Sequence, residues 1–580
     1  EMAGLARAYP GAAGSLTCAL GSAAAGTGYL FNAAGLAALA RTALCLHLRT
    51  LPALPGWSQA KKPEWLEQTC FYLPGESRTW FLPVGVERRL AALHALGRDG
   101  SSLHLLLSEA PDAARATGHF LEQQPGRLFP LAARSQTDLE NALRDLRRDV
   151  EQAGDFGMAP RRAYAGYQRD PEAPLALCLA AEDAEGLLRE ADFALRDLPA
   201  AFAQARPWQT PAGSYFTPLP VGREGGGAFV YPAAFNSSLG LGRGLFPLCP
   251  QLSPPAAALT ARLGETIQER KLYPRGRRAL SKDELAALET QLNDDPIAMI
   301  TTGSLIAVLF TMIVRDIFKI NPSAAFGYSL GEIAMLFGTE VWTAADETSD
   351  ALKASPLFLS RLSGPQNAVR EAWGLPPSQA DGEALWSNFF LMATPERARE
   401  AVAEEPRAYL THVNTPRQVV IGGDPQACRR VIERLQCTSL KAPFDFALHC
   451  EAIRGEYDSM VELHSWPVST VPNARLYTAA DYRPLPVERD AIAEKISRML
   501  TSSLDFPALV RQVYADGARV FIELGANANC SKWIEDTLKG SPFVSVAINR
   551  KGADDHASIL RMLARLVSHR VPLDLTPLYP

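Results

Sequence analysis

The chain has 580 residues, of which 47% are hydrophobic and 21% charged, with a formal net charge of -5 at pH 7. That length exceeds what one hydrophobic core serves, so two or three domains are expected, and the composition excludes the disordered and fibrous classes. The mildly acidic balance gives no basic footprint for nucleic acid.

In chain order, residues 15–50 (SLTCALGSAAAGTGYLFNAAGLAALARTALCLHLRT) read as a short strand, a glycine-rich turn and a buried helix of small and apolar residues. A strand is expected over 101–109 (SSLHLLLSE), after the turn at 97–100. From Pro111 to about Gly227, alanine, arginine and acidic residues dominate, with amphipathic stretches at 137–152 and 180–196, which predicts a helical connector. Glycines 225–227 are expected to hinge this connector onto a strand at 228–231. Residues 297–314 (IAMITTGSLIAVLFTMIV) are apolar enough to cross a bilayer. Thr301, Thr302, Gly303, Ser304 and Thr311 dilute that run and Asp294 and Asp295 precede it, so a buried helix and no membrane span is expected. Strands and helices then alternate as a mostly parallel α/β sheet requires, with decisive strands at 324–326 and 520–524. Between them, residues 386–447 hold strands at 388–392, 409–413, 418–422 and 439–442 and helices at 395–403 and 425–435, the pattern of a small inserted subdomain.

The nine cysteines stand singly with no CxxC pair, which argues for reduced thiols and a cytoplasmic location. No basic-then-apolar leader pattern is read near Glu1, and no His, Cys or carboxylate cluster has ligand spacing, so no metal is expected.

Gly327-Tyr328-Ser329-Leu330-Gly331-Glu332 joins an apolar strand end to a helix-forming IAMLF. This is the pattern of a nucleophile elbow: a serine on a sharp strand-to-helix turn, with glycines leaving room for the turn. The helix N-terminus and the Leu330 N–H would then face a developing oxyanion. A serine hydroxyl needs a positioned base at neutral pH. His449, where the chain returns from the insert to the main sheet, is the candidate, while His47, His104, His556 and His569 read as structural.

From residue 228 onward the sequence resembles the acyltransferase domains of fatty acid and polyketide synthases. The resemblance rests on pieces in the family's order: AFVYP at 228–232, GYSLGE, VNTPRQVVIGGD at 413–424, ALHCE at 447–451, GARVFIELG at 517–525 and VPLDLTPLY at 571–579. AINRKGADDHASILRMLARLVSHRVPLDL is similar to the subgroup of polyunsaturated fatty acid and glycolipid synthases. The resemblance implies an α/β-hydrolase-like core with an inserted ferredoxin-like subdomain at about 386–447. It implies Ser329 as nucleophile and His449 as base, with carbonyls near 477–479 as candidates to orient the base. It also implies an oxyanion hole from the N–H groups of Leu330 and Ala234, although Ala233-Ala234-Phe235-Asn236 stands where most relatives have G-Q-G. Tyr328 replaces the usual histidine and is expected to contact substrate, Asn414 is expected to line the acceptor groove, and Arg361, with Lys353 also near in sequence, is a candidate substrate contact. Malonyl-specific members place an arginine where Ala354 stands, so a neutral acyl chain is the favoured substrate.

Residues 1–110 resemble the C-terminal half of a ketosynthase, a thiolase-like α/β region, through CALGSAAAGTGYLFNAAGLAALARTALCLH and LHALGRDGSSLHLLLSEAP. Tyr29 occupies the place of that enzyme's catalytic histidine, so a degenerate, chain-length-factor-like docking region is expected. Residues 111–227 are then a helical linker or adaptor and 228–580 the acyltransferase domain. Acyl transfer from CoA or an acyl carrier protein to a phosphopantetheine thiol is implied, with no bound cofactor and with partner domains of a lipid or polyketide megasynthase. A thioesterase, a malonyl-transferring domain and a non-catalytic docking module remain alternatives.

Overall fold

The computed structural model describes residues 2–9, 11–12, 14–97, 99–110, 124–153, 156–376 and 385–579. The chain divides into two compact units, Glu1–Phe120 with Ser238–Leu292, and Leu121–Ser237 with Asn293–Pro580.

The first unit carries helix α1 (Ala34–Leu48) and the antiparallel strands β1 (Leu90–Leu96) and β2 (Ser102–Ser108), in which His94 faces His104. The small, apolar composition of this helix predicts burial, and the structure differs. Leu46 is its buried residue, whereas Leu36 and Leu44 are 71% and 55% exposed, because a two-stranded sheet is too narrow to cover a helix of 15 residues. Residues 238–292, which the resemblance assigns to the acyltransferase domain, fold with the first unit. The buried Arg78 guanidinium donates to the carbonyls of Tyr273 and Pro274, and Leu73 N–H donates to Gly276 O, tying that strap in place.

The second unit opens with the stretch expected to be a helical connector, and this expectation needs correction. Helices α2 (Gln136–Ala153), α3 (Ala159–Arg169) and α4 (Ala184–Ala203) are present, but they lie beside an antiparallel sheet. Its strands are β3 (Arg127–Ala133), β4 (Leu175–Ala181), β5 (Trp208–Gln209) and β6 (Tyr215–Phe216), in the order β3-β4-β6-β5. Phe129, Leu177, Leu179 and Phe216 meet Leu139, Leu143, Leu187 and Leu198 of the helices in one core. Alanine-rich strands such as LALCLAA carry little β signature, so the sequence does not announce this sheet.

The main sheet is built from β7 (Gly226–Tyr231), β8 (Ala324–Gly327), β13 (Arg475–Thr478), β14 (Arg483–Pro484), β16 (Ala518–Glu523) and β17 (Val544–Ala547). The order is β14-β13-β8-β7-β16-β17, parallel except for β14, and the central strands are buried on both faces. Of the glycines 225–227 expected as a hinge, Gly226 and Gly227 instead begin β7. Helix α5 (Pro296–Met312) is the apolar run weighed as a membrane span, and 83% of an 18-residue stretch within Pro296–Ile317 is buried. Phe31–Leu48 also has the length and hydropathy to span a bilayer, with 6% of it buried. Helix α6 (Gly331–Gly338) follows β8.

The insert contains β9 (Ser387–Leu391), α7 (Pro395–Ala403), β10 (Ala408–Thr415), β11 (Gln418–Gly423), α8 (Pro425–Leu435) and β12 (Ser439–Lys441). This βαββαβ run pairs in the order β12-β9-β11-β10, with the short β15 (Leu504–Asp505) added in parallel to β10. After β13 come α9 (Arg489–Leu500), α10 (Phe506–Ala515), α11 (Asn529–Thr537) and α12 (Asp555–Ser568).

Candidate active site

Ser329 lies at the carboxyl end of β8, where the sheet order turns between β8, β7 and β16, the crevice in which open parallel sheets hold ligands. Its φ is 58°, a left-handed conformation that costs a non-glycine residue energy and is kept only where surrounding contacts over-determine it. Here the contacts are glycine-dependent. A Cβ on Gly327 would collide with the Glu332 backbone N, and one on Gly331 with the Tyr231 carbonyl oxygen.

Ser329 Oγ and His449 Nε2 are 2.6 Å apart, although 120 positions separate them in the chain. His449 Nδ1 is 2.8 Å from the Met499 carbonyl oxygen, so Nδ1 carries the proton and donates, leaving Nε2 to accept from the serine hydroxyl. The orienting carbonyl is therefore Met499, at the end of α9, and not one near 477–479. Those residues serve Glu332 instead: its buried carboxylate accepts from Ala479 N–H at 2.6 Å and from the Thr478 hydroxyl. Burial pushes Glu332 up to about 8 and His449 down to about 4.

Leu330 precedes α6, whose first N–H groups, those of Gly331, Glu332 and Ile333, donate three residues back to the carbonyls of Tyr328, Ser329 and Leu330. Ala234 is buried in the single turn Ala234–Asn236 after β7. Gly303 of α5 runs so close that a Cβ there would meet the Ala234 carbonyl oxygen at 2.6 Å, which fixes the turn despite the missing G-Q-G. Phe235 beside it stacks on Phe446, with ring centroids 4.8 Å apart.

Tyr328 donates its hydroxyl to Asn414 Oδ1 at 2.8 Å, and Asn414 Nδ2 reaches Gln418 Oε1 at 3.3 Å, which draws the insert's β10 against the elbow. Trp533 and Phe506 pack on the Tyr328 ring at 4.9 and 5.4 Å. His412 stacks on the same ring at 5.5 Å and meets the His449 ring edge-to-face at 4.4 Å. Arg361 behaves differently: its guanidinium donates to Glu371 at 2.6 Å and also pairs with Glu456. Sequence reasoning missed His412, Met499, Phe506 and Trp533. His412 alone left a trace, standing two residues before Asn414 and so on the same strand face. Among the described residues no group of three metal-ligating side chains occurs.

No model of a known protein family matches the chain. It is 29% identical to one polypeptide of the polyunsaturated fatty acid synthase of Thraustochytrium, over 98% of its own length and 29% of that protein. A second polypeptide of the same organism's synthase is 24% identical over 94% of the chain and 19% of its own length, so the chain spans less than a third of either relative. Among solved structures, the acyltransferase domain from module 8 of the salinomycin polyketide synthase superposes with a TM-score of 0.61 at 20% identity, covering 78% of this chain and 98% of that domain. The chain is thus similar in sequence to a segment of a Thraustochytrium polyunsaturated fatty acid synthase polypeptide and carries the α/β fold of the salinomycin synthase acyltransferase domain.

Proposed function

We propose that this chain is a serine-dependent acyltransferase of polyunsaturated fatty acid or polyketide-type synthesis, working through an acyl-Ser329 intermediate. The observation that carries this reading is the 2.6 Å approach of Ser329 Oγ to His449 Nε2 on a strained elbow. Ser329 attacks the carbonyl carbon of a CoA or carrier-protein thioester as His449 Nε2 takes its proton. The imidazolium, held through Nδ1–H on Met499 O, returns that proton to the departing thiolate. The Leu330 and Ala234 N–H groups receive the oxyanion. In the second half, a carrier-protein phosphopantetheine thiol gives its proton to His449, its sulfur attacks the ester, and Ser329 leaves with the proton.

The βαββαβ insert, with strand order 4-1-3-2, fits a ferredoxin-like subdomain, and its Asn414 supports a role in lining the acceptor groove through Tyr328. Residues 1–110 fit a chain-length-factor-like docking region for other domains of a megasynthase. Two carboxylates already neutralise Arg361, and Ala354 stands where malonyl-specific relatives have arginine. Both points favour a neutral acyl group over malonyl, and Arg361 is not assigned to substrate. None of the nine cysteines, all within the described residues, is joined in a disulfide, which fits a cytoplasmic setting.

The test is intact-mass spectrometry of the chain after exposure to acetyl-, malonyl- and hexadecanoyl-CoA, followed by addition of holo acyl carrier protein. The expected result is an adduct on the wild type, none on Ser329→Ala, and passage of the acyl group to the carrier. Free acid in place of acyl carrier would mean a thioesterase, a malonyl adduct alone would reverse the substrate preference, and no adduct at all would leave a docking module.

A further inference from the structure

We infer that His412 is a positioning residue of this site, packing the His449 imidazole against Ser329 and keeping water from the base. The inference rests on the reading of Ser329 and His449 given above. His412 lies within β10, whose backbone is paired on both sides: His412 is in register with Val420 of β11 and with Leu504 of β15. Its position is therefore set by two ladders and not by a loop. The Thr411 hydroxyl donates to Val420 O at 3.1 Å, so its oxygen accepts from His412 Nδ1, 2.9 Å away. That fixes a neutral tautomer with the proton on Nδ1.

The ring is held on one side by Tyr328, stacked at an interplanar angle of 26°, and it meets His449 at 65° with centroids 4.4 Å apart. His449 is thereby held at three places: Ser329 Oγ at Nε2, Met499 O at Nδ1, and the His412 ring. The third matters because His449 becomes a cation during each half-reaction, and a neutral aromatic ring tolerates a cation where a second imidazolium would repel it. Burial and the neighbouring His449 both push His412 well below its usual value, which favours the neutral ring. The other titratable groups near this strand face are Tyr328 and Cys530 of α11, with Asp505 at the strand's edge beside Arg399.

The experiment is single-turnover acylation of Ser329, followed by intact mass from pH 3.5 to 8, for the wild type, His412→Ala and His412→Phe. With the ring removed, the Ala variant is expected to acylate about tenfold more slowly at saturating thioester, with KM little changed. Its acid limb should move to higher pH, because water admitted to His449 relieves the burial that lowers its pKa. The Phe variant, which restores an aromatic wall that cannot be protonated, should return both rate and acid limb to near the wild type. An Ala variant with wild-type rate and acid limb would overturn the inference. So would Ala and Phe variants that lose activity equally with unmoved limbs, the pattern of a fold defect. A wild type that never acylates would instead sink the reading of Ser329 itself.

Discussion

At the residue scale the site turns on how burial treats one imidazole. His449 is fully buried, and desolvation lowers it to about 4 despite the Met499 carbonyl on Nδ1, which favours the protonated form. A base with that value stays unprotonated from neutral pH down to about 4. Acylation of Ser329 is therefore expected to hold its rate through pH 5 and to fall only as pH drops through about 4. A stopped-flow pH profile with an acid limb near 6.5 would contradict this. Replacing His449 by Ala should lower the acylation rate at pH 7 by about 10²-fold or more, the usual contribution of a positioned general base. Tyr328→Phe removes the donor to Asn414 Oδ1 and leaves a buried acceptor unsatisfied, at a cost of about 1–3 kcal/mol by urea denaturation. Ser329 and His449 were legible from sequence as candidates, because glycine spacing marks the first and the resemblance in motif order marks the second. Met499 and Trp533 were not, because a carbonyl oxygen and an aromatic side chain acquire a role only when another element stops beside them.

At the element scale, β8 and α6 hold Ser329 through close backbone contact. Gly331 packs its Cα against the Tyr231 carbonyl of β7, so Gly331→Ala forces sheet and helix apart. The expected loss is about 2 kcal/mol or more of stability, with acylation reduced in the folded fraction. Unchanged denaturation midpoint and rate would show that the turn has slack. The insert's strands and helices are legible almost to the residue, since alternating apolar positions and Asp-Pro or Thr-Pro starts mark them: Pro395–Ala403 and Pro425–Leu435 match the expected bounds. The adaptor's β3 and β4 are not, because alanine-rich strands beside amphipathic helices look helical until the sheet they complete is seen.

Across the whole molecule, buried ionisable groups set how the second unit responds to pH. His412, His449, His464, His556 and His569 are all held below 6.5 by burial. The unfolded chain binds their protons as pH falls below about 6.5 while the fold does not, so each costs stability down to its folded value, at about 1.4 kcal/mol per pH unit per proton. Glu332 and Glu523 run the other way. Burial raises them to about 8 and about 7, so the fold keeps protons that the unfolded chain releases above about 4.5, and their contribution is lost as pH rises through 7 to 8. Glu535 is raised by burial as well, and the five histidines outweigh these three carboxyls on the acid side. Calorimetry should therefore show the highest melting temperature near pH 6.5, with a steep fall toward pH 4.5 and a shallow one toward pH 8. A flat profile would refute this balance.

The α/β class and the strand-to-helix turn at Ser329 are readable from turn glycines and hydrophobic period, whereas His449 as the partner of that serine is expected only through a resemblance in motif order. Only the folded chain brings 238–292 into the first unit, sets the Met499 carbonyl against His449 Nδ1, pairs Arg361 with two carboxylates and places His412 against His449. Those outcomes depend on which distant surfaces meet. Burial, charge pairing and ring contact are properties of such meetings, and no window of sequence contains both partners.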